Sequence, residues 1–202
     1  LYFDVIPKAV EEYLGFIAAF PEEEHKKQID NPAWHIHAGT PPAPELPVSF
    51  ALMINLVSAS NAANKQTLWG FIGRYAPGAT PEQNPRLDRL AGYALAYYRD
   101  FVLPEKRYRA PTAQERAALL ALDGELGKAN PTATAEELQT VVYEVGKANG
   151  FADSLRDWFK AIYEVLLGQT QGPRFGSFIA LYGIAETRAL IGEALEGKLK
   201  SA

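Results

Sequence analysis

Helix starts are written into this chain three times over. Thr80-Pro-Glu-Gln83, Thr112-Ala-Gln-Glu115 and Thr134-Ala-Glu-Glu137 all carry the spacing of a capping box, in which two side chains reciprocally satisfy two backbone N–H groups at a helix start. Asn84-Pro85 offers a competing start beside the first of these, because proline at the first helical position loses no hydrogen bond. Each start opens an apolar run of helical period. Leu87, Leu90, Ala94, Tyr97 and Phe101 form one stripe, Leu119, Leu122 and Leu126 a second, and Leu138, Val141, Val142 and Val145 a third. Pro104 and Gly150 supply stops. No segment alternates apolar and polar residues as a half-buried strand must. The expected fold is therefore all-α, a multi-helix bundle or α-helix cage of roughly nine or ten helices of ~11–12 residues.

The rest of the chain reads the same way. Val10, Tyr13, Leu14 and Ile17 mark a helix that Pro21 ends, and Leu155, Trp158, Phe159, Ile162, Val165 and Leu166 mark another before Gly168. Ile184 to Lys200 closes the chain with a weaker helical pattern. Val48 to Ala59 is apolar nearly all round, as in a helix buried on several sides. If that helix continues, Ser58, Asn61 and Lys65 fall at i, i+3 and i+7 and form one polar seam beside Trp69, Phe71, Arg74 and Tyr75. Four prolines between Gly39 and Pro47 favour extended backbone and make a first boundary. Pro104 to Pro111, which contains the most basic short segment, Glu105-Lys-Arg-Tyr-Arg109, makes a second. The pieces are 1–46, 47–109 and 110–202. The chain begins at Leu1 instead of Met and reads as part of a longer polypeptide.

Several chemistries lack their residues. There is no cysteine, which removes disulfides, thiolate zinc sites and thiol nucleophiles and fits a cytoplasmic location. No apolar run is long enough to cross a bilayer, so no membrane partner is expected. Glycine-rich phosphate loops are absent, and neither Ser154 nor Ser177 sits in a nucleophile elbow. The acidic pair Glu136-Glu137 belongs to a first helical turn, where carboxylates favour the helix dipole. His35-Ile-His37 would put both imidazoles on one side of an extended segment, but His25 is the only other histidine and packing is the preferred reading. No metal site is expected.

What remains is cations beside aromatics: Trp69, Phe71, Arg74 and Tyr75; Tyr97, Tyr98 and Arg99; Lys106 to Arg109; Arg156, Trp158, Phe159 and Lys160; Arg174 and Phe175. Unstacked RNA bases stack on aromatic rings and guanidinium planes at ~1–3 kcal/mol each. A net charge of −4 means any such contact is local and does not rest on bulk attraction. The corner Gly168-Gln-Thr-Gln-Gly-Pro-Arg-Phe175 combines a helix stop with a helix start, with Pro173 in the first turn of a helix that ends at Gly183. Arg174 lies there beside N–H groups free to hold a phosphate. Trp158, Phe159, Phe178 and Tyr97 are expected to pack. Arg174 and Phe175 are the foremost RNA-binding candidates, with Trp69 and Arg74 behind them.

Leu1-Tyr-Phe-Asp-Val-Ile-Pro-Lys8, Asn31-Pro-Ala-Trp-His-Ile-His37, Pro47-Val-Ser-Phe50, Asn55-Leu-Val-Ser-Ala-Ser-Asn61, Val142-Tyr-Glu-Val-Gly146, Leu166-Leu-Gly-Gln169 and Gly172-Pro-Arg-Phe-Gly-Ser-Phe178 resemble, in this order, the C-terminal part of class I, archaeal-type lysyl-tRNA synthetases. The resemblance implies a parent enzyme that activates lysine with ATP and Mg2+ and transfers it to tRNA(Lys). The HIGH-like and KMSKS-like signatures of the family's catalytic domain do not occur here. It further implies that 1–46 connects to that domain, that 47–109 is a first helical subdomain of a cage, and that 110–202 is an anticodon-binding second one. The fragment by itself would carry no catalytic residues and no cofactor. The alternative reading is an all-α protein-interaction or scaffolding module without RNA binding.

Overall fold

The computed structural model describes residues 3–199. Among these there are eleven α-helices and no strand: α1 (Ile6–Ala19), α2 (His25–Asp30), α3 (Pro32–Ile36), α4 (Phe50–Ser60), α5 (Lys65–Tyr75), α6 (Pro85–Tyr97), α7 (Ala113–Lys128), α8 (Ala135–Gly146), α9 (Leu155–Ile162), α10 (Phe175–Tyr182) and α11 (Ile184–Leu195). The all-α expectation holds. Wider π-type turns extend α6 over Tyr98–Val102, α8 over Lys147–Phe151 and α9 over Tyr163–Leu167. No helix among the described residues is long and apolar enough to cross a membrane.

Two of the three capping boxes form. The Thr112 and Thr134 hydroxyls accept from the Glu115 and Glu137 N–H groups, and each carboxylate reaches back to the threonine N–H at 2.7 Å. At the third, Asn84-Pro85 wins, and α6 begins at Pro85. Its start is capped from outside the helix, because the Glu45 carboxylate accepts from Arg86 N (3.2 Å) and Leu87 N (2.9 Å) and pairs with the Arg86 guanidinium. The proline-rich segment is thereby folded back onto α6.

The expected seam through Ser58, Asn61 and Lys65 is broken. Asn61 adopts a left-handed conformation (φ 49°) that ends α4, and Asn64 caps α5 anew by accepting from Thr67 N. The extended reading of His35-Ile-His37 also gives way: Pro32–Ile36 is helical, capped by Asn31, and His37 Nε2 lies 2.9 Å from the Tyr13 hydroxyl. Two residues apart on a helix, the imidazoles leave on different faces. Pro173 lies just outside α10, whose N-cap is Arg174.

Helix α10 is the centre of the molecule. It packs against α8, α4, α5 and α11, and its Phe175, Phe178, Ile179 and Tyr182 are all buried. The crossing with α8 is close enough that a Cβ on Gly176 would sit 2.7 Å from Gln139 Cα, so only glycine fits. Buried apolar residues form one cluster that runs from Val48 to Ala194, and Ile6 and Val10 of α1 pack against it. The segments on either side of residue 110 therefore share a core.

Candidate nucleic-acid interface

The π-type turn after α9 ends at Gly168 in a left-handed conformation (φ 64°), which glycine adopts without steric cost. The Gly168 carbonyl accepts from Arg107 N at 2.9 Å, and a Cβ at this position would press on Lys106 Cγ at 2.9 Å. The Gly168 corner and the basic segment 105–109, remote in sequence, thus lie side by side. Together they wall a cavity of about 600 Å³ whose lining includes Phe101, Arg107, Tyr108, Gln169, Thr170 and Gln171.

The basic residues of that segment have three different fates. Lys106 is buried, 4% exposed. Its ammonium donates to the Ser58 carbonyl (3.0 Å) and the Tyr98 hydroxyl (3.3 Å) and lies 4.9 Å from the centre of the Tyr108 ring. It has no ion-pair partner among the described residues, and burial pushes it down to about 8. Burial likewise pushes the Tyr108 phenol up to about 12. Arg109 is held between Glu115 (2.7 Å) and Glu164 (2.6 Å), and the bonds to Glu115 keep that carboxyl below its usual range. Arg107 is exposed. Among the described residues its Nη1 donates to the carbonyls of Pro104 (2.9 Å) and Lys106 (2.8 Å), and the side chain makes no ion pair where it lines the cavity.

Behind the corner lies a buried polar layer on α4. Gln169 Nε2 donates to Asn55 Oδ1 and Ser58 Oγ, both at 3.3 Å. The Tyr163 hydroxyl donates to the Pro173 carbonyl. Asn55 Nδ2 is buried without a partner among the described residues, and a Cβ on Gly172 would sit 2.6 Å from it. The corner is clamped onto α4 with no room for a side chain at 172.

Of the four residues expected to bind RNA, the structure leaves one free. Arg174 is exposed and makes no ion pair or side-chain hydrogen bond among the described residues. Phe175 is a correction: it is 0% exposed, packed against Tyr163 and Phe178, so no base can reach its ring while the core is intact. Trp69 is half-buried and donates from Nε1 to Asp88 at 3.0 Å, an aspartate that also pairs with Lys65. Arg74 lies 4.8 Å over the Phe71 ring and pairs with Glu186. It also reaches the Tyr182 carbonyl, at the far end of α10 from Arg174. The four are not gathered into one site. The anion site expected at the start of α10 is partly filled too, since Gly176 N already donates to the buried Gln139 Oε1 at 2.7 Å.

Sequence reasoning named the basic segment and the corner but not their contact, and it missed Gln169 and Asn55 as a pair. Their hydrogen bond spans two elements and leaves no short-range pattern. Among the described residues no three His, Asp or Glu side chains converge as a metal ion requires.

No protein-family model matches the chain. Curated proteins do. The chain is 50% identical over 201 residues to the lysine–tRNA ligase of Roseobacter denitrificans, an alignment that covers 100% of this chain and 38% of that protein. The lysine–tRNA ligase of Rickettsia felis is 44% identical over 98% of this chain and 37% of its own length. That of Rickettsia bellii is 45% identical over 96% of this chain and 38% of its own length. The chain thus spans well under half the length of these relatives, and over that span it is a homologue of the lysine–tRNA ligases.

Proposed function

We propose that the chain is the C-terminal, anticodon-binding part of a class I lysine–tRNA ligase, an enzyme that joins lysine to tRNA(Lys) at the expense of ATP. The observation that carries the reading is the identity of 42–50% to lysine–tRNA ligases along 96–100% of the chain. The geometry supports a recognition role. The cavity beside Gly168 combines an exposed guanidinium, a partly exposed aromatic ring at Phe101 and amide groups, the donor, stacking and reading elements that unpaired RNA needs. On this reading ATP and Mg2+ belong to a part of the enzyme outside this chain. Here the chain's residues bind and orient tRNA, with Arg107 and Arg174 as exposed cations that make no ion pair among the described residues. Trp69 and Arg74 serve chiefly to hold α5 in place.

Fluorescence anisotropy with labelled tRNA(Lys) tests this. The expected result is binding that weakens when anticodon bases are replaced. Equal, weak binding to unrelated tRNAs, or stoichiometric capture of a protein and no RNA, would overturn the reading in favour of a scaffold.

A further inference from the structure

Helix α1, the proline-rich segment 44–49 and α6 enclose a second cavity, of about 570 Å³. Val10, Leu14, Leu46, Val48 and Leu90 are among its walls, while Ala18, Pro44, Pro47 and Tyr93 are exposed, so it opens to solvent as a groove. Its acidic and phenolic groups are already engaged inside the chain. Glu11 accepts from Ala51 N at 3.0 Å, Glu45 holds the start of α6 and the Arg86 guanidinium, and the Tyr13 hydroxyl is bonded to His37. Two cationic groups are left over. Arg86 Nη1 is buried without a partner, and Arg89 is exposed with no ion pair or hydrogen bond among the described residues. The groove therefore suits an apolar occupant with a carboxylate at one side.

One wall is bare. A Cβ added at Gly15 would meet nothing within 4 Å, so another backbone can approach α1 closely there. Tyr93 stands 64% exposed on the lining, and five of the ten exposed large apolar side chains among the described residues, Phe3, Val5, Phe16, Ile29 and Ile36, fall on the short stretch 3–36. Apolar surface gathered in this way marks contact with another polypeptide. The homologous lysine–tRNA ligases offer one, because the chain covers only 37–38% of their length and most of such an enzyme lies outside it.

We propose that this groove seats the part of the ligase outside this chain, which lays an apolar segment along α1 and Tyr93 and sets a carboxylate against Arg89. Seated there, it is fixed to the helical core through α1, whose Glu11 holds the first turn of α4. This inference rests on reading the chain as one portion of a lysine–tRNA ligase and adds where the remainder docks.

The test uses the complete ligase with the photo-cross-linker p-benzoylphenylalanine in place of Tyr93, and in place of Leu120, exposed on α7, as a control. Irradiation should join position 93 to residues of the same molecule outside this chain, and position 120 should not react in this way. Hydrogen exchange gives a second readout: amides of α1 and of 85–93 should exchange about tenfold more slowly in the complete ligase than in this chain alone. Arg89→Glu and Gly15→Gln, both at exposed positions, should shrink that difference. Neither should lower the melting temperature of the chain alone, since glutamine favours a helix more than glycine does. Cross-links from position 93 to a second copy, equal reaction at 93 and 120, or equal exchange in ligase and chain overturns the docking proposal. If the same preparations still charge tRNA(Lys), the ligase reading stands; a complete protein that charges no tRNA(Lys) overturns both.

Discussion

Lys106 donates to the Ser58 carbonyl and the Tyr98 hydroxyl, and burial lowers its affinity for a proton to about 8 from the ordinary 10.5. The unfolded chain therefore binds more protons than the folded one between these two values, and stability rises with pH across that window. Below it the full burial penalty of the ammonium applies. The neighbouring phenols of Tyr98 and Tyr108 are raised by burial, a contribution of opposite sign to that of Lys106 as pH rises. Lys106→Met should remove the window, so that urea melts at about pH 7 and pH 10 shift the wild-type protein upward relative to the variant. Parallel behaviour of the two would show that Lys106 titrates normally. Phe175 and Arg174, adjacent in sequence, should part company. Phe175→Ala should cost ~3–5 kcal/mol of stability, as core phenylalanines do, whereas Arg174→Ala should change stability by less than ~0.5 kcal/mol and weaken tRNA binding. Thermal melts beside anisotropy separate the two effects. Nothing in the dipeptide itself distinguishes these roles. The burial of Phe175 depends on Tyr163 and Phe178, which only the folded chain puts around it.

At the scale of the element, three capping boxes that look alike in sequence are not alike in structure. Thr134→Ala removes a formed box from α8 and should cost ~0.5–2 kcal/mol. Thr80→Ala should cost less than ~0.5 kcal/mol, because α6 starts later and is capped by Glu45. Glu45→Ala should then cost more than Thr80→Ala, since it opens two N–H groups and strips the Arg86 guanidinium of its partner. Equilibrium unfolding of the three variants checks the order, and equal costs would refute it. Helix stops were legible at the left-handed glycines Gly150 and Gly168, but not at Gly197, where α11 ends at Leu195 although the helical pattern in the sequence runs on to Lys200. Asn61, with the same hand, ended α4 unannounced. Asparagine tolerates that conformation without requiring it, so the residue type by itself did not mark the break.

At the scale of the molecule, the apolar cluster passes without interruption from Val48 to Ala194, with α10 against α8, α4 and α5. A cut at residue 110 would expose both halves of that cluster. Residues 110–202 expressed separately should therefore show no cooperative unfolding transition, in contrast to the whole chain, and a sharp melt of the fragment would show that the halves are independent. With a net charge of −4, and most cations of the candidate interface buried or paired, few phosphates are neutralised. The dependence of log K on log salt should be shallow.

The sequence by itself determined most of the longer helices and their apolar faces, together with the likeness to lysyl-tRNA synthetases, but not α2, α3 or the break between α4 and α5. Capping and periodicity are settled by groups within four residues of one another, and those are on view in the chain. The tertiary structure decided which polar groups remain free to act. Lys106, Arg107 and Arg109 are near neighbours of similar chemistry, and one is buried against α4, one is exposed and one is neutralised by Glu115 and Glu164. The availability of a charge depends on solvent and on carboxylates brought from elsewhere, and packing alone sets both.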